Sequence, residues 1–332
     1  MKVAVTGAAG FVGLNILDAL LGRGHEVLAL DLGPLRADAV AELPRQDALT
    51  VERLNVLDGE QLEARLRDFG CEALFHGASV TASVETEQSD FGRVLEVNVV
   101  GTARVLEACR RAGIRRIVAA SSSAVYGGLP FGREPVVEDA PLHPLTVYGI
   151  SKLAAEQSAL RFGELHDLEV VVPRIAAVFG RWEWETRQRD VMSPLFQIAR
   201  DAVRGREVVL PRGGARDWID VRRVAHAVAL LIEAPRLAHP VYNLAAIRTW
   251  SPELLCSELE KKMPGFRWRF GEDRDASIDY RDDVTRERQA VTARRVTDEF
   301  GLEVLGTPEA DAASFAEWAA SHPSWFARTP AS

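Results

Sequence analysis

Cysteine is scarce in this chain. Cys71, Cys109 and Cys256 are the only three among 332 residues. Odd in number and widely separated, they exclude a disulfide framework and lack the close pairing that zinc ligation or a redox motif needs. Reduced, buried thiols are expected, and no metal. Long hydrophobic runs are missing as well. Lys2 leads straight into Val3-Ala4-Val5-Thr6-Gly7, too short an apolar stretch for a signal peptide, and no later run approaches about 18 residues. A cytoplasmic protein without a membrane partner is expected. Positive charge is also in short supply: 40 Lys and Arg against 48 Asp and Glu leave a net charge of -8. That field repels polyanions, so nucleic acid is excluded as a partner. Internal repeats, low-complexity tracts and Pro-rich linkers are absent.

What is present is an ordinary globular composition, 47% hydrophobic and 27% charged, which rules out collagen-like and disordered classes. The length exceeds the roughly 250 to 300 residues at which one core stops growing, so a large lobe, a smaller one and a cleft between them are expected. Short apolar runs at residues 3–5, 27–30, 73–76, 117–120 and 170–172 read as buried strands. Stretches of period near 3.6, such as 11–22 and 94–112, are long enough to be the crossover helices that parallel strands require. The fold class is therefore α/β with a doubly wound parallel sheet. The pattern loosens after residue 180, where Trp182, Trp184 and several arginines replace the strand runs, although 225–232 and 252–262 still look helical. Residues 1–180 are assigned to the larger lobe and 181–332 to a smaller substrate-binding lobe, some of whose segments return to the sheet. The charged stretch 273–288 reads as a solvated surface segment.

The first strand runs into Thr6-Gly7-Ala8-Ala9-Gly10-Phe11-Val12-Gly13. Missing β-carbons there let backbone N–H groups approach a pyrophosphate at a helix N-terminus. Glycines also serve tight turns and close helix packing, so the reading depends on the residues downstream. The second strand ends in Asp31, about 20 residues on, where a carboxylate accepts the ribose hydroxyls of NAD and repels the 2′-phosphate of NADP. Strand, loop, helix, strand and acid in that order favour an NAD-binding Rossmann lobe over a mere surface or capping Asp. Arg36, close behind, leaves NADP open.

Tyr148-Gly149-Ile150-Ser151-Lys152 opens a helical stretch, and a spacing of four puts phenol and ammonium one turn apart on one face. Free tyrosine titrates near pH 10, but an adjacent ammonium and a positive nicotinamide ring favour phenolate and suit Tyr148 to act as a base. The same pair on an unrelated helix means only packing with a snorkelling amine. Ser121-Ser122-Ser123 follows the strand at 117–120, at the carboxyl edge where ligands bind in open α/β sheets. There a hydroxyl orients a substrate alcohol, or simply forms a turn or helix cap.

Together, T-G-A-A-G-F-V-G, S-S-S-A-V-Y-G and Y-G-I-S-K in this order resemble the extended short-chain dehydrogenase/reductases, specifically the NAD-dependent epimerase/dehydratase group. The similarity runs from Met1 to about Leu305, patchily beyond Gly180, where Arg216-Asp217-Trp218-Ile219-Asp220-Val221 looks like the family's R-D-[YF]-[IV]-H-V stretch. The resemblance implies Ser122, Tyr148 and Lys152 as catalytic residues. It implies cofactor contacts at Gly7, Gly10, Phe11, Val12, Gly13, Asp31, Ala78, Ser79 and Asn98, with Tyr148 and Lys152 also on the cofactor. Asn55, before Val56, stands where the family has an adenine-binding Asp, and its amide oxygen remains an acceptor. His76 matches a family histidine with a structural role beneath the cofactor. A homodimer is implied, through the helices at 94–112 and 148–162.

Departures from the family pattern narrow the reaction. Ser122 is followed by Ser123 and Ala124, where family dehydratases carry Asp and Glu, so dehydration is disfavoured. Ala177 stands where nucleotide-sugar epimerases usually carry Asn. Arg216 matches an arginine that grips a sugar-nucleotide diphosphate, and a guanidinium fork suits phosphate or carboxylate equally. Ser123, Arg181, Arg216 and Arg281 complete the expected substrate contacts. The segment from Phe179 to Arg189 carries two tryptophans and three arginines: either the lining of an anion or sugar pocket, or tryptophans packed on the larger lobe with paired charges. The expected activity is epimerisation or oxidation of a secondary hydroxyl on a nucleotide sugar or another anionic sugar. A dehydrogenase that releases NADH, and a noncatalytic NAD-sensing protein, are the alternatives.

Overall fold

A computed structural model of the chain describes residues 1–186, 192–280, 286 and 288–327. In chain order its strands are β1 (Lys2–Thr6), β2 (Glu26–Asp31), β3 (Leu49–Arg53), β4 (Ala73–His76), β5 (Arg116–Ala119) and β6 (Ser121–Ser122). They continue with β7 (Glu169–Ile175), β8 (Val178–Phe179), β9 (Val208–Leu210), β10 (Ile219–Asp220), β11 (Val241–Leu244) and β12 (Trp268–Phe270). One parallel sheet has the order β11-β7-β5-β4-β1-β2-β3, with β6 also paired to β7. Val3 faces Val27 on one side and Ala73 on the other. Strands buried on both faces need no polar alternation, which is why the central ones are continuous apolar runs. The chain winds outward through β2 and β3, then returns to β4 on the other side of β1. The β1–β4 boundary is therefore the switch point at which an open α/β sheet leaves a crevice at its carboxyl edge.

Helices cover both faces. Phe11–Gly22 packs on Val221–Glu233, with Leu14, Leu17, Val224 and Val228 in one cluster. On the opposite face Gly59–Phe69, Gly101–Ala112 and Val147–His166 contribute Leu62, Leu66, Val105, Leu106 and Ala159 to a second. The later part of the chain adds two short parallel pairs, β8 with β10 and β9 with β12. It also adds the helices Pro194–Val203, Glu253–Lys262, Pro308–Ser321 and Pro323–Ala327. Its Trp182, Phe315 and Phe326 share the cluster of Leu14 and Leu17, so the two parts of the chain meet in a continuous core.

Two sequence expectations need correction, and two strands were missed. The helix expected at 94–112 is interrupted by a π-turn, Glu96–Val100, between Phe91–Leu95 and Gly101–Ala112. The edge strands β3 and β11 were not read from the sequence. The described part of 273–288 is more than a solvated surface: Ile278 is buried, and Ser277 Oγ accepts the Val209 N–H at 3.0 Å. Cys71, Cys109 and Cys256 are buried free thiols. Among the described residues, no helix is long and apolar enough to cross a membrane.

Candidate active site

The turn after β1 is built around absent side chains. Gly7 has φ +71°, and a β-carbon on it would lie 2.6 Å from the Ala78 nitrogen. On Gly13 it would lie 2.1 Å from the Gly7 carbonyl oxygen. These contacts bring the turn, the helix Phe11–Gly22 and the loop after β4 closer than any other residue type allows. The helix opens at Gly10 with no side-chain cap and no acidic residue in its first turn, leaving its positive dipole end for an anion. Phe11 is buried and Val12 half-buried against the core, so their backbones are what they can offer a ligand. Asp31 closes the other side: its Oδ2 accepts the Ala9 N–H at 2.9 Å and its Oδ1 the Gly33 N–H at 3.0 Å. Each oxygen keeps a further lone pair for a ribose hydroxyl. A cradle that a β-carbon would fill, an uncapped helix start and an oriented carboxylate together fit a dinucleotide.

Arg36 does not stand free beside that carboxylate. Its guanidinium pairs with Asp38, with Nε 3.0 Å from Oδ1, and its centre lies 3.5 Å from the Trp325 ring and 5.2 Å from that of Trp184. A 2′-phosphate would have to compete with these partners. Asn55 is exposed, and its Oδ1 accepts the Leu57 N–H at 3.1 Å, while Val56 is buried.

The loop after β4 is held from below. His76 is 4% exposed and bonded on both ring nitrogens, Nδ1 to Thr6 Oγ1 at 2.7 Å and Nε2 to Thr102 Oγ1 at 3.0 Å. Burial, helped by the Lys152 charge, pushes its pKa down to about 3, so it is a neutral tie between β1, β4 and the helix Gly101–Ala112. Asn98 lies in the π-turn, a kind of irregularity frequent at functional sites. Its Oδ1 accepts the Val80 N–H at 2.8 Å, and its Nδ2 donates to the Val80 carbonyl at 3.0 Å and to Ser151 Oγ at 2.9 Å. Asn98 thus ties the loop carrying Ala78 and Ser79 to the helix of Tyr148. Both of its amide N–H groups are engaged in the protein.

Tyr148 and Lys152 sit in the first turns of Val147–His166. Thr146 caps that helix through the Gly149 N–H, and Glu87 Oε1 accepts the Val147 N–H at 2.7 Å. Tyr148 is half-buried. Lys152 is 6% exposed, and burial pulls its pKa down to about 8 against the opposing pull of Glu156. Gly149 admits the neighbouring turn: a β-carbon there would be 2.8 Å from the Ala124 carbonyl oxygen. That turn, Ser123–Tyr126, follows β6, and Ser122 caps it by accepting the Ala124 N–H at 3.2 Å. Ser122 is therefore a helix cap, yet its hydroxyl proton remains to be donated. The close approach of Gly149 to Ala124 sets the start of the helix that carries Tyr148 and Lys152 against the turn that Ser122 caps.

The substrate contacts fare differently. Arg181 closes on Asp18 and donates from Nε to Asn15 Oδ1 at 3.2 Å, over the Trp182 ring. Trp182 is fully buried, and Trp184 Nε1 donates to the Ala9 carbonyl at 3.3 Å. Arg181, expected as a substrate contact, is thus paired within the protein, and Trp184 packs on the glycine turn. Arg187, Arg189 and Arg281 lie outside the described residues. Arg216 is 3% exposed, bridged through its backbone to Trp250, with Nη1 2.8 Å from the Ala215 carbonyl. Ser123 is half-buried at the start of its turn. Two groups were missed altogether. Trp325, near the C-terminal end, stacks on Arg36 and donates to the Glu183 carbonyl at 2.8 Å. Glu156 accepts from Ser121 at 2.7 Å and pairs with Arg174 at 2.6 Å. A carboxylate one turn beyond Lys152 was the available signal.

Residues 3–245 match the NAD dependent epimerase/dehydratase family. A UDP-glucose 4-epimerase from Mycolicibacterium smegmatis is 34% identical over 232 residues, 68% of this chain and 72% of that one. Among solved structures, the UDP-glucose 4-epimerase of Thermus thermophilus, complexed with NAD, superposes with TM-score 0.76 at 26% identity, covering 98% of this chain and 99% of that chain. MoeE5 in complex with UDP-glucuronic acid and NAD superposes with TM-score 0.72 at 30% identity, covering 96% and 98%.

Proposed function

The chain belongs to the NAD dependent epimerase/dehydratase family, and from that premise we propose that it is an NAD-dependent epimerase acting on a secondary hydroxyl of a nucleotide sugar or related anionic sugar. The observation that carries this reading is a glycine turn shaped for a dinucleotide, together with the close approach of Gly149, between Tyr148 and Lys152, to the turn that Ser122 caps. Bound NAD would supply a hydride acceptor that takes the hydride from the carbon bearing the hydroxyl and returns it to the opposite face of the resulting ketone, which inverts that carbon and leaves no net NADH. Gly7, Gly10 and Gly13 admit its pyrophosphate to the backbone, and Asp31 takes the adenosine ribose. Ala78 and Ser79 form the wall, and Asn55 and Val56 the adenine edge.

Tyr148 removes the proton of the substrate hydroxyl. Lys152 favours the phenolate and holds ribose hydroxyls; Ser122 donates a hydrogen bond that orients the substrate oxygen. Ser123 and Ala124 offer no acid for elimination of water, which favours epimerisation over dehydration. Arg216 is the proposed anion contact, near the Tyr280 hydroxyl, which is buried without a hydrogen-bond partner among the described residues. UDP-glucose and UDP-glucuronic acid, bound by relatives of this fold, are the first substrates to offer.

The test is incubation with those nucleotide sugars and with free sugar acids, in NAD and separately in NADP, following NADH absorbance and product identity. Epimer without net NADH, in NAD only, is the expected result. Stoichiometric NADH means a dehydrogenase, turnover with NADP contradicts the role of Asp31, and no turnover with retained NAD binding leaves a sensor. We further propose a homodimer through Gly101–Ala112 and Val147–His166, a region that leaves Val100, Ile150 and Leu165 exposed. Light scattering should give twice the chain mass, and a monomer would refute it.

A further inference from the structure

Glu156 lies one turn beyond Lys152 and two beyond Tyr148 on the same helix face. It is 2% exposed. Its Oε2 accepts the Ser121 hydroxyl at 2.7 Å, next to Ser122. Arg174 on β7 reaches the same carboxylate with Nη2 at 2.6 Å and Nε at 3.2 and 3.1 Å. Arg174 is fixed in turn by the Tyr126 hydroxyl and the Glu138 carbonyl, each at 2.8 Å, and Tyr126 donates to Asn243 at 2.7 Å. Lys152, Glu156 and Arg174 thus form a buried row of alternating charge running inward from the base. A buried ion pair of this kind often stabilises a fold no better than apolar residues of the same volume, so its presence beside the base asks for a reason other than stability.

We propose that Glu156 is a positioning residue that keeps Lys152 cationic and thereby sets the pH at which Tyr148 accepts the substrate proton, while its bond to Ser121 fixes the strand edge that carries Ser122. The proposal rests on Tyr148 being the base. Among the described residues, the other titratable groups around Lys152 supply no substitute charge. His76, from β4, is neutral, its pKa depressed by burial to about 3. Tyr126 is held above its ordinary value by burial, and Arg174 is a cation of the wrong sign. Burial has already brought Lys152 down to about 8, and the field of Glu156 is what opposes a further fall. Without that field the amine gives up its proton at lower pH, the phenolate loses its adjacent cation earlier, and Tyr148 ionises at higher pH.

The experiment uses the full chain with NAD and two variants. Glu156→Gln removes the charge and keeps the shape; Glu156→Gln with Arg174→Gln removes both charges and leaves none buried unpaired. Phenolate absorbance is titrated against a Tyr148→Phe blank, and kcat is followed with pH on a substrate that turns over. In Glu156→Gln the phenolate should appear about one pH unit higher, kcat at pH 7 should fall about tenfold and recover as the pH is raised, and KM should stay within about twofold; the double variant, which also removes the opposing Arg174 charge, should shift in the same direction by less. An unmoved titration overturns the proposal, whether kcat is normal or is lost at every pH. So does the failure of both variants to fold, which would make the pair purely structural. Absence of any Tyr148-dependent phenolate in the wild type would instead sink the base, a separate result.

Discussion

Tyr148→Phe should lower kcat by about 10³-fold while leaving NAD affinity within about twofold and the melting temperature unchanged. The substitution removes one hydroxyl and keeps the half-buried ring. The helix start does not depend on that hydroxyl, because Thr146 and Glu87 satisfy the first N–H groups and Gly149 makes the close approach to Ala124. The glycine turn and Asp31 lie on other elements, so the dinucleotide cradle survives. What is lost is the proposed base, and among the described residues no neighbour replaces it. His76 is neutral and bonded on both sides, and the Ser122 hydroxyl is too weak a base. Calorimetric titration with NAD and steady-state turnover on the same preparation check the two halves. Turnover near the wild-type rate would remove Tyr148 from the chemistry, and loss of NAD binding would make it a cofactor ligand first.

The parts of this site that were legible in the sequence are those made by local spacing. The glycine turn, Asp31 at the end of β2 and the four-residue step from Tyr148 to Lys152 are each encoded within one supersecondary unit, where strand and helix periodicity fix what shares a face. The central strands were readable for the same reason. The edge strand β3, Leu-Thr-Val-Glu-Arg, was not, because it is half exposed and carries charge and so resembles a loop. β11 is four residues long, and its partner β7 lies far back in the chain; nothing local announces that pairing. The π-turn at Asn98 hides in a run that reads as continuous helix. Most of all, side-chain ties across elements were invisible: Arg181 to Asp18, Arg36 between Trp184 and Trp325, Arg174 to Glu156. An arginine in a sequence looks like an open anion site until its partner is located. The bonds of Asn98 to Val80 and Ser151 brace the loop after β4 against the helix Val147–His166.

Gly13→Ala should destabilise the protein by about 2–3 kcal/mol and abolish measurable NAD binding, although alanine is normally the better helix residue by about 1 kcal/mol. The new β-carbon would lie 2.1 Å from the Gly7 carbonyl oxygen and 2.8 Å from the Ala8 α-carbon. These are backbone atoms, which no rotamer change can move. Relief requires the turn to lift from the helix, but Gly7 is itself wedged against Gly77 and Ala78, 2.6–2.8 Å from where its own β-carbon would be. The displacement therefore reaches the loop after β4, and the amides meant for the pyrophosphate lose their common aim. Gly92→Ala is the control: that glycine is also helical, but no atom lies within 4 Å of its β-carbon position, so the variant should gain up to about 1 kcal/mol. Thermal melts with and without cofactor separate the two effects. At NAD a hundredfold above its dissociation constant, the wild type and Gly92→Ala should each gain about 2.7 kcal/mol from ligand linkage, whereas Gly13→Ala should gain none. If Gly13→Ala retained the full NAD-dependent gain, the pyrophosphate would have to be held somewhere other than this turn, and Asp31, oriented by the Ala9 N–H of the same turn, would lose its assignment to the ribose as well.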